Sequence, residues 1–193
     1  FNQILPYVRK SKNASRRWLN PVYLDIGGMR LFHISPSAQA WYNEAATQKQ
    51  LDALRAADWV DYAQVLPFKL RALYLVFRDF CDSDDAIFAA ARENFARFVE
   101  EQGRELRLYG TFEALDHYFD AQNASLPFSE DSVGWLGWPE AYRYPDSASV
   151  LAFSASHEAD IRFYMWLQWL LAEQLDNLRH YCGEQGMILG LYG

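Results

Sequence analysis

Cysteine, histidine and positive charge are all scarce in this sequence, and each shortage removes a class of function. Of 193 residues only two are cysteines, Cys81 and Cys182, far apart and each in an apolar helical stretch. That is neither a disulfide framework nor a zinc site, and a reducing cytoplasm is the expected setting. The four histidines, His33, His117, His157 and His180, have no second histidine or cysteine at metal-ligand spacing. His157 and Asp160 in HEADIR read as a charged face at a helix start, so no metal and no cofactor are expected. Lys and Arg number 18 against 25 Asp and Glu, a formal charge of −7 that argues against a nucleic-acid partner. The one basic cluster, RKSKNASRR from Arg9 to Arg17, reads as a solvated arm. The Gly27-Gly28 pair lacks the spacing and the lysine of a phosphate loop, no serine sits in a nucleophile elbow, and neither cysteine has an electropositive surrounding. No catalytic residue is assigned. No secretory leader is expected from this pattern, so the acceptor patterns at Asn13 and Asn123 are expected to carry no weight.

Aromatic and apolar residues are plentiful, 17% and 51% of the chain. The stretch RFYMWLQWLLAEQL, Arg162 to Leu175, is the densest. A spanning helix needs roughly 20 predominantly apolar residues; this run is closed by Arg162 and Glu173 and interrupted by Gln168, so no membrane partner is expected. Phe163, Trp166, Leu167, Leu170, Leu171, Leu175 and Leu178 form one wide stripe, and Ile161, Tyr164, Met165 and Ala172 extend it. A helix apolar on most of its circumference belongs at the centre of a core. We expect it to pack against helices around Phe68, Phe95 and Phe112.

Along the chain, Val22, Leu24 and Ile26 alternate with Tyr23 and Asp25 before Gly27-Gly28, and Leu31, Phe32 and Ile34 follow. This predicts a strand, a turn and a short extended segment. Ser35 is expected to cap a helix with Pro36 at its first position, continuing to Arg55. A second helix, over VDYAQVLPFKLRALYLVFRDF, is expected to become regular at about Pro67. Ser83-Asp84-Asp85 caps a third that ends at Gly103; a fourth runs from Glu105 to near Asn123. A loop rich in Ser, Pro, Gly and Asp precedes a final helix from about Ser149 to Gly183. MILGLYG, at the end, reads as a strand buried on both faces, whose open edge predicts self-association.

The loop carries Trp135, Trp138, Tyr142 and Tyr144 beside Gly134 and Gly137. Such rings can stack on glucose, and rings pinning a loop to a helical core give the same pattern.

Five strings, SRRWLNPVYLDI (Ser15–Ile26), AADWVDYAQV (Ala56–Val65) with Lys69 following, GWPEAYR (Gly137–Arg143), FYMWLQWLLAEQL (Phe163–Leu175) and GMILGLYG (Gly186–Gly193), occur here in the order and approximate spacing of one family. The chain resembles bacterial amylomaltases, the 4-alpha-glucanotransferases, of the long maltose-system type. The resemblance implies an enzyme that passes α-1,4-glucan segments between malto-oligosaccharides by a retaining double displacement, which needs two carboxyl groups about 5 Å apart. In the family those acids lie on later strands of a (β/α)8 barrel, beyond the matched region. A whole barrel takes about 250 residues, so a fragment, inactive by itself, is expected.

The implied fold is mainly α: a bundle-like helical insertion domain with a few short β-strands, derived from an incomplete barrel. Its expected divisions are an arm and strand at 1–35, a helical domain at 36–186 with a loop near 123–148, and a barrel-like strand at 187–193. By resemblance, Trp18 and Asn20 lie beside the cleft, and with Trp135 and Trp138 they are the candidate substrate-binding residues. For Asn20 a backbone-capping role before Pro21 is equally open. The family's Ser-Pro-Tyr segment is not matched by YVRKSKNAS, so no contact is carried to Tyr7. Without the family strings, the same composition would suit a helical protein-interaction module with no activity.

Overall fold

The computed structural model describes residues 18–123 and 134–187. Within them the chain is mainly helical and holds no strand. The helices are α1 (Arg30–Ile34), α2 (Pro36–Tyr42), α3 (Ala45–Ala56), α4 (Tyr62–Asp82), α5 (Ala86–Asn123), α6 (Ala148–Ser156) and α7 (Glu158–Glu184), with 3-10 turns at Pro21–Tyr23, Gly134–Gly137 and Glu140–Tyr142.

Helix α7 lies at the centre because its apolar residues leave no face for solvent: every residue from Phe163 to Leu171 is buried. Trp166 is 0% exposed, between the rings of Phe77 (5.4 Å), Phe80 (5.7 Å) and Phe163 (6.3 Å). Trp169 meets Phe80 and Phe95. The expected packing against the helices around Phe68, Phe95 and Phe112 is therefore present, since α4 and α5 both lie on α7; of the three rings Phe95 meets α7 itself, while Phe68 packs on Trp41 and Phe112 on Trp138. Helix α5 packs closest, because Gly110 brings the two backbones together; a Cβ there would stand 2.8 Å from the Ile161 carbonyl oxygen. At the start of α7, Arg107 donates two hydrogen bonds to the Glu158 carboxylate (2.9 and 2.6 Å), tying the helices at their edge.

Local signals explain most boundaries. The Ser35 hydroxyl accepts from the Ala38 N–H and Pro36 takes the first helical position. The α2 helix ends at Tyr42 rather than continuing, and α3 restarts at Ala45. Helix α4 starts five residues before Pro67, because the Asp61 carboxylate accepts from the Ala63 and Gln64 N–H groups and anchors the first turn. At Pro67 only one intrahelical donor is lost. Gly103 breaks α5 with φ 59° and ψ −142°, the expected stop, after which the chain resumes as a helix to Asn123. The final helix is two: α6 ends at Ser156, and His157, stacked on Phe153 at 3.9 Å, separates it from α7.

The predicted strand at Val22–Ile26 is a 3-10 turn, and the extended segment after it is α1. The alternation behind the prediction is real: Val22 and Leu24 are buried, Tyr23 and Asp25 exposed. The segment lies on α4 and α7, however, and side chains take the place of a neighbouring strand. The expected terminal strand falls, apart from Met187, outside the described residues, as do residues 124–133 of the expected loop. No described helix is long and apolar enough to cross a membrane.

Candidate functional site

Two of the candidate residues, Trp18 and Asn20, sit on the arm that crosses α7, and the arm is held almost entirely by side chains. Gln168 is 3% exposed on the core helix. A buried amide needs partners, and it finds them on the arm: its Oε1 accepts from the Leu19 N–H (2.9 Å), and its Nε2 donates to the Leu19 carbonyl (2.8 Å) and the Tyr109 hydroxyl (3.0 Å). Tyr109 in turn packs against the Trp18 ring at 5.1 Å. Six residues on, Gln174 repeats the pattern with Asp25, accepting from its N–H (2.9 Å) and donating to its carbonyl (2.8 Å). Between them the Lys69 ammonium donates to the carbonyls of Val22 (2.6 Å) and Leu24 (2.8 Å). Burial pushes the Lys69 ammonium below the ordinary lysine range, and the Asp25 carboxylate opposes that fall.

Asn20 has a defined local role. Its Oδ1 accepts from the Val22 N–H (3.0 Å), capping the 3-10 turn that Pro21 begins. The cap uses the oxygen only; the Nδ2 amide hydrogens have no partner among the described residues. Trp18 is half-buried beside it.

Trp135 and Trp138 are elsewhere, on the loop before α6. Trp138 is 5% exposed and packs between Phe112 (5.3 Å) and Phe119 (5.6 Å), with Tyr142 on Phe119 at 5.1 Å. Arg143 Nε donates to the Trp138 carbonyl (2.8 Å) and closes the turn. Of the two readings open to this ring, its burial between two phenylalanines fits the anchor. Trp135 is half-buried against the same core. The four candidates thus fall into a pair on the arm and a pair in the loop.

Sequence reasoning missed Gln168, Gln174 and Asp79. The signal for the first was present, since an uncharged polar residue inside an apolar helical run must meet a partner. Asp79 on α4 accepts from the hydroxyls of Ser35 and Ser37 and from the Ser37 N–H (2.9 Å), at the start of α2. Burial alone would raise its carboxyl, but these hydrogen bonds and Arg78 outweigh that and hold it below the usual carboxylate range. Also unmarked were exposed aromatics: Trp59 is 87% exposed, with Val60 and Tyr62 exposed just after it in the chain and the exposed Tyr23 close to Tyr62. No group of His, Cys, Asp and Glu among the described residues could hold a metal ion.

A family model described as 4-alpha-glucanotransferase matches residues 2–192. The chain is similar to a 4-alpha-glucanotransferase of Haemophilus influenzae, 38% identical over 181 residues, covering 94% of the chain and 26% of that protein. It is also similar to one of Mycobacterium tuberculosis, 30% identical over 180 residues (92% and 22%), and to one of Chlamydia caviae, 23% identical over 171 residues (89% and 28%). The chain spans about a quarter of the length of the curated relatives it matches.

Proposed function

The chain belongs to the 4-alpha-glucanotransferase family, and from that membership we propose that it is the helical part of an enzyme transferring α-1,4-glucan segments between malto-oligosaccharides. The reaction is a retaining double displacement, in which a carboxylate forms a glycosyl-enzyme and a second carboxylic acid protonates the leaving oxygen and then activates the acceptor. In this reading the two acids belong to the (β/α)8 barrel in the remaining three quarters of the protein, the helical part decorates that barrel in the cytoplasm, and the chain alone is inactive.

One observation supports the reading from the geometry. The two strings that carry the family resemblance most specifically, around Trp18–Asp25 and around Phe163–Leu175, are 149 residues apart and are locked together through Gln168 and Gln174. The arm's sugar-facing end would then be Trp18, offering a ring edge or face, and Asn20, offering its amide hydrogens to a glucose hydroxyl. Trp135 borders the same core, and Trp138 only anchors its loop.

The test is transfer from maltotriose by the full-length protein and by the 193-residue chain, with maltoheptaose binding followed by tryptophan fluorescence. Transfer by the full-length protein alone is the expected result; no transfer by either would sink the reading. The competing reading, a helical interaction module without activity, draws on the exposed Trp59, Val60, Tyr62 and Tyr23. It requires that the full-length protein lack transferase activity, so the same assay separates the two.

A further inference from the structure

We propose that Gln168 and Gln174 are positioning residues: paired amide clamps that hold the backbone of the Leu19–Asp25 arm in a single register on α7 and thereby set Trp18 and Asn20. The proposal rests on the reading above that these two residues face the sugar.

The two clamps have the same polarity. In each, the glutamine Oε1 takes the N–H and its Nε2 gives to the C=O of one and the same arm residue, as a neighbouring strand would. Both pair residues 149 apart in the chain, so arm and helix advance together, six residues each, without slippage. Six residues of α-helix rise only about 9 Å, whereas an extended six-residue segment reaches about 20 Å. The mismatch is absorbed by the 3-10 turn at Pro21–Tyr23, started by the Asn20 cap and fixed in the middle by Lys69.

The consequence is that most of the arm's polar backbone is satisfied without a partner strand. The N–H groups of Leu19, Val22, Tyr23, Leu24 and Asp25 and the carbonyls of Leu19 to Val22, Leu24 and Asp25 all have partners. Gln168 also reaches Tyr109, on which Trp18 rests, so one amide fixes both the backbone and the ring beside it. An extended strap without these clamps could shift by a residue, and a one-residue shift would exchange Val22 and Leu24 for Tyr23 and Asp25 against the core.

The test uses the full-length protein with Gln168→Glu and Gln174→Glu, which keep shape and acceptor but lose the donor. Two measurements are made: hydrogen exchange of the peptide spanning Leu19 to Asp25, and the kinetics of maltotriose transfer. The expected result is roughly tenfold faster exchange, the scale of one lost hydrogen bond, with KM raised several-fold and kcat little changed. Unchanged exchange in both variants would overturn the clamps. Trp18→Ala and Asn20→Ala serve as the control for the reading beneath. If they raise KM and the glutamine variants speed exchange without raising it, the positioning role alone is overturned. If they leave KM unchanged, the sugar-facing reading fails and the positioning role falls with it. Gln174 is less buried than Gln168, so its variant carries the test should Gln168→Glu fail to fold.

Discussion

Asp79 illustrates what single residues do here. Its carboxylate gathers two serine hydroxyls and a backbone N–H at the start of α2, and Ser35, one of the donors, is 0% exposed. Because the folded protein holds this carboxyl below its ordinary pKa, the native state binds fewer protons there than the unfolded chain. Its contribution is fully present above the unfolded value, about 4, and is lost as pH falls through the lower folded value. Urea midpoints measured at pH 7, 5 and 3 should therefore fall more steeply below pH 5 for the wild type than for Asp79→Asn. Asp79→Ala should cost roughly 1–3 kcal/mol at pH 7, since it strands the buried Ser35 hydroxyl. Gly110→Ala is a second case. A Cβ placed 2.8 Å from the Ile161 carbonyl oxygen and 2.9 Å from Met165 Cγ must push α5 from α7, at about 1–3 kcal/mol, and thermal melts would read it. The Ser35 cap was legible in the sequence because its partner is three residues away; the Asp79 partners, more than 40 residues away, were not.

At the scale of elements, breaks were easier to read than joins. The stop at Gly103 was legible because its φ of 59° and ψ of −142° belong to a region open almost only to glycine. Gly103→Ala should then destabilise the protein by about 1–3 kcal/mol; no atom stands within 4 Å of the added Cβ, so a loss in denaturant midpoint would report backbone strain and not a clash. The α6–α7 break at His157 had no glycine or proline to announce it, and one continuous helix was the natural expectation. Pro67 misled in the opposite direction, because the Asp61 cap starts α4 ahead of it. The loop before α6 was legible as a loop, but its attachment was not. Trp138→Ala should release it, with a cost of about 3–5 kcal/mol and faster backbone exchange from residue 134 to 147, which exchange mass spectrometry would detect.

For the molecule as a whole, Trp166 is the point where α4 and α7 meet. Its ring is fully buried against Phe77, Phe80 and Phe163, and its Nε1 has no hydrogen-bond partner among the described residues, so packing holds it. Trp166→Ala should cost about 3–5 kcal/mol, a large share of the 5–15 kcal/mol typical of a domain, and the chain should lose cooperative unfolding in a urea titration before it loses helix. Trp166→Phe, which keeps most of the packing and removes the unpartnered donor, should cost less than half as much.

The sequence by itself determined that the chain is helical, that the Trp/Leu stretch from Arg162 is its centre, where α2, α5 and α6 begin, and which family strings it carries. Each of these depends on apolar period, on residues within one turn of each other, or on a string read directly. Only the tertiary structure decided that the Val22–Ile26 alternation is a clamped strap and not a strand, that Trp138 is buried against Phe112, and that Gln168 and Gln174 reach the arm. The physical reason is that alternating burial looks the same against a sheet or between two helices. What distinguishes them is where the backbone hydrogen bonds go, and here they go to side chains on α4 and α7, as far as 149 residues away.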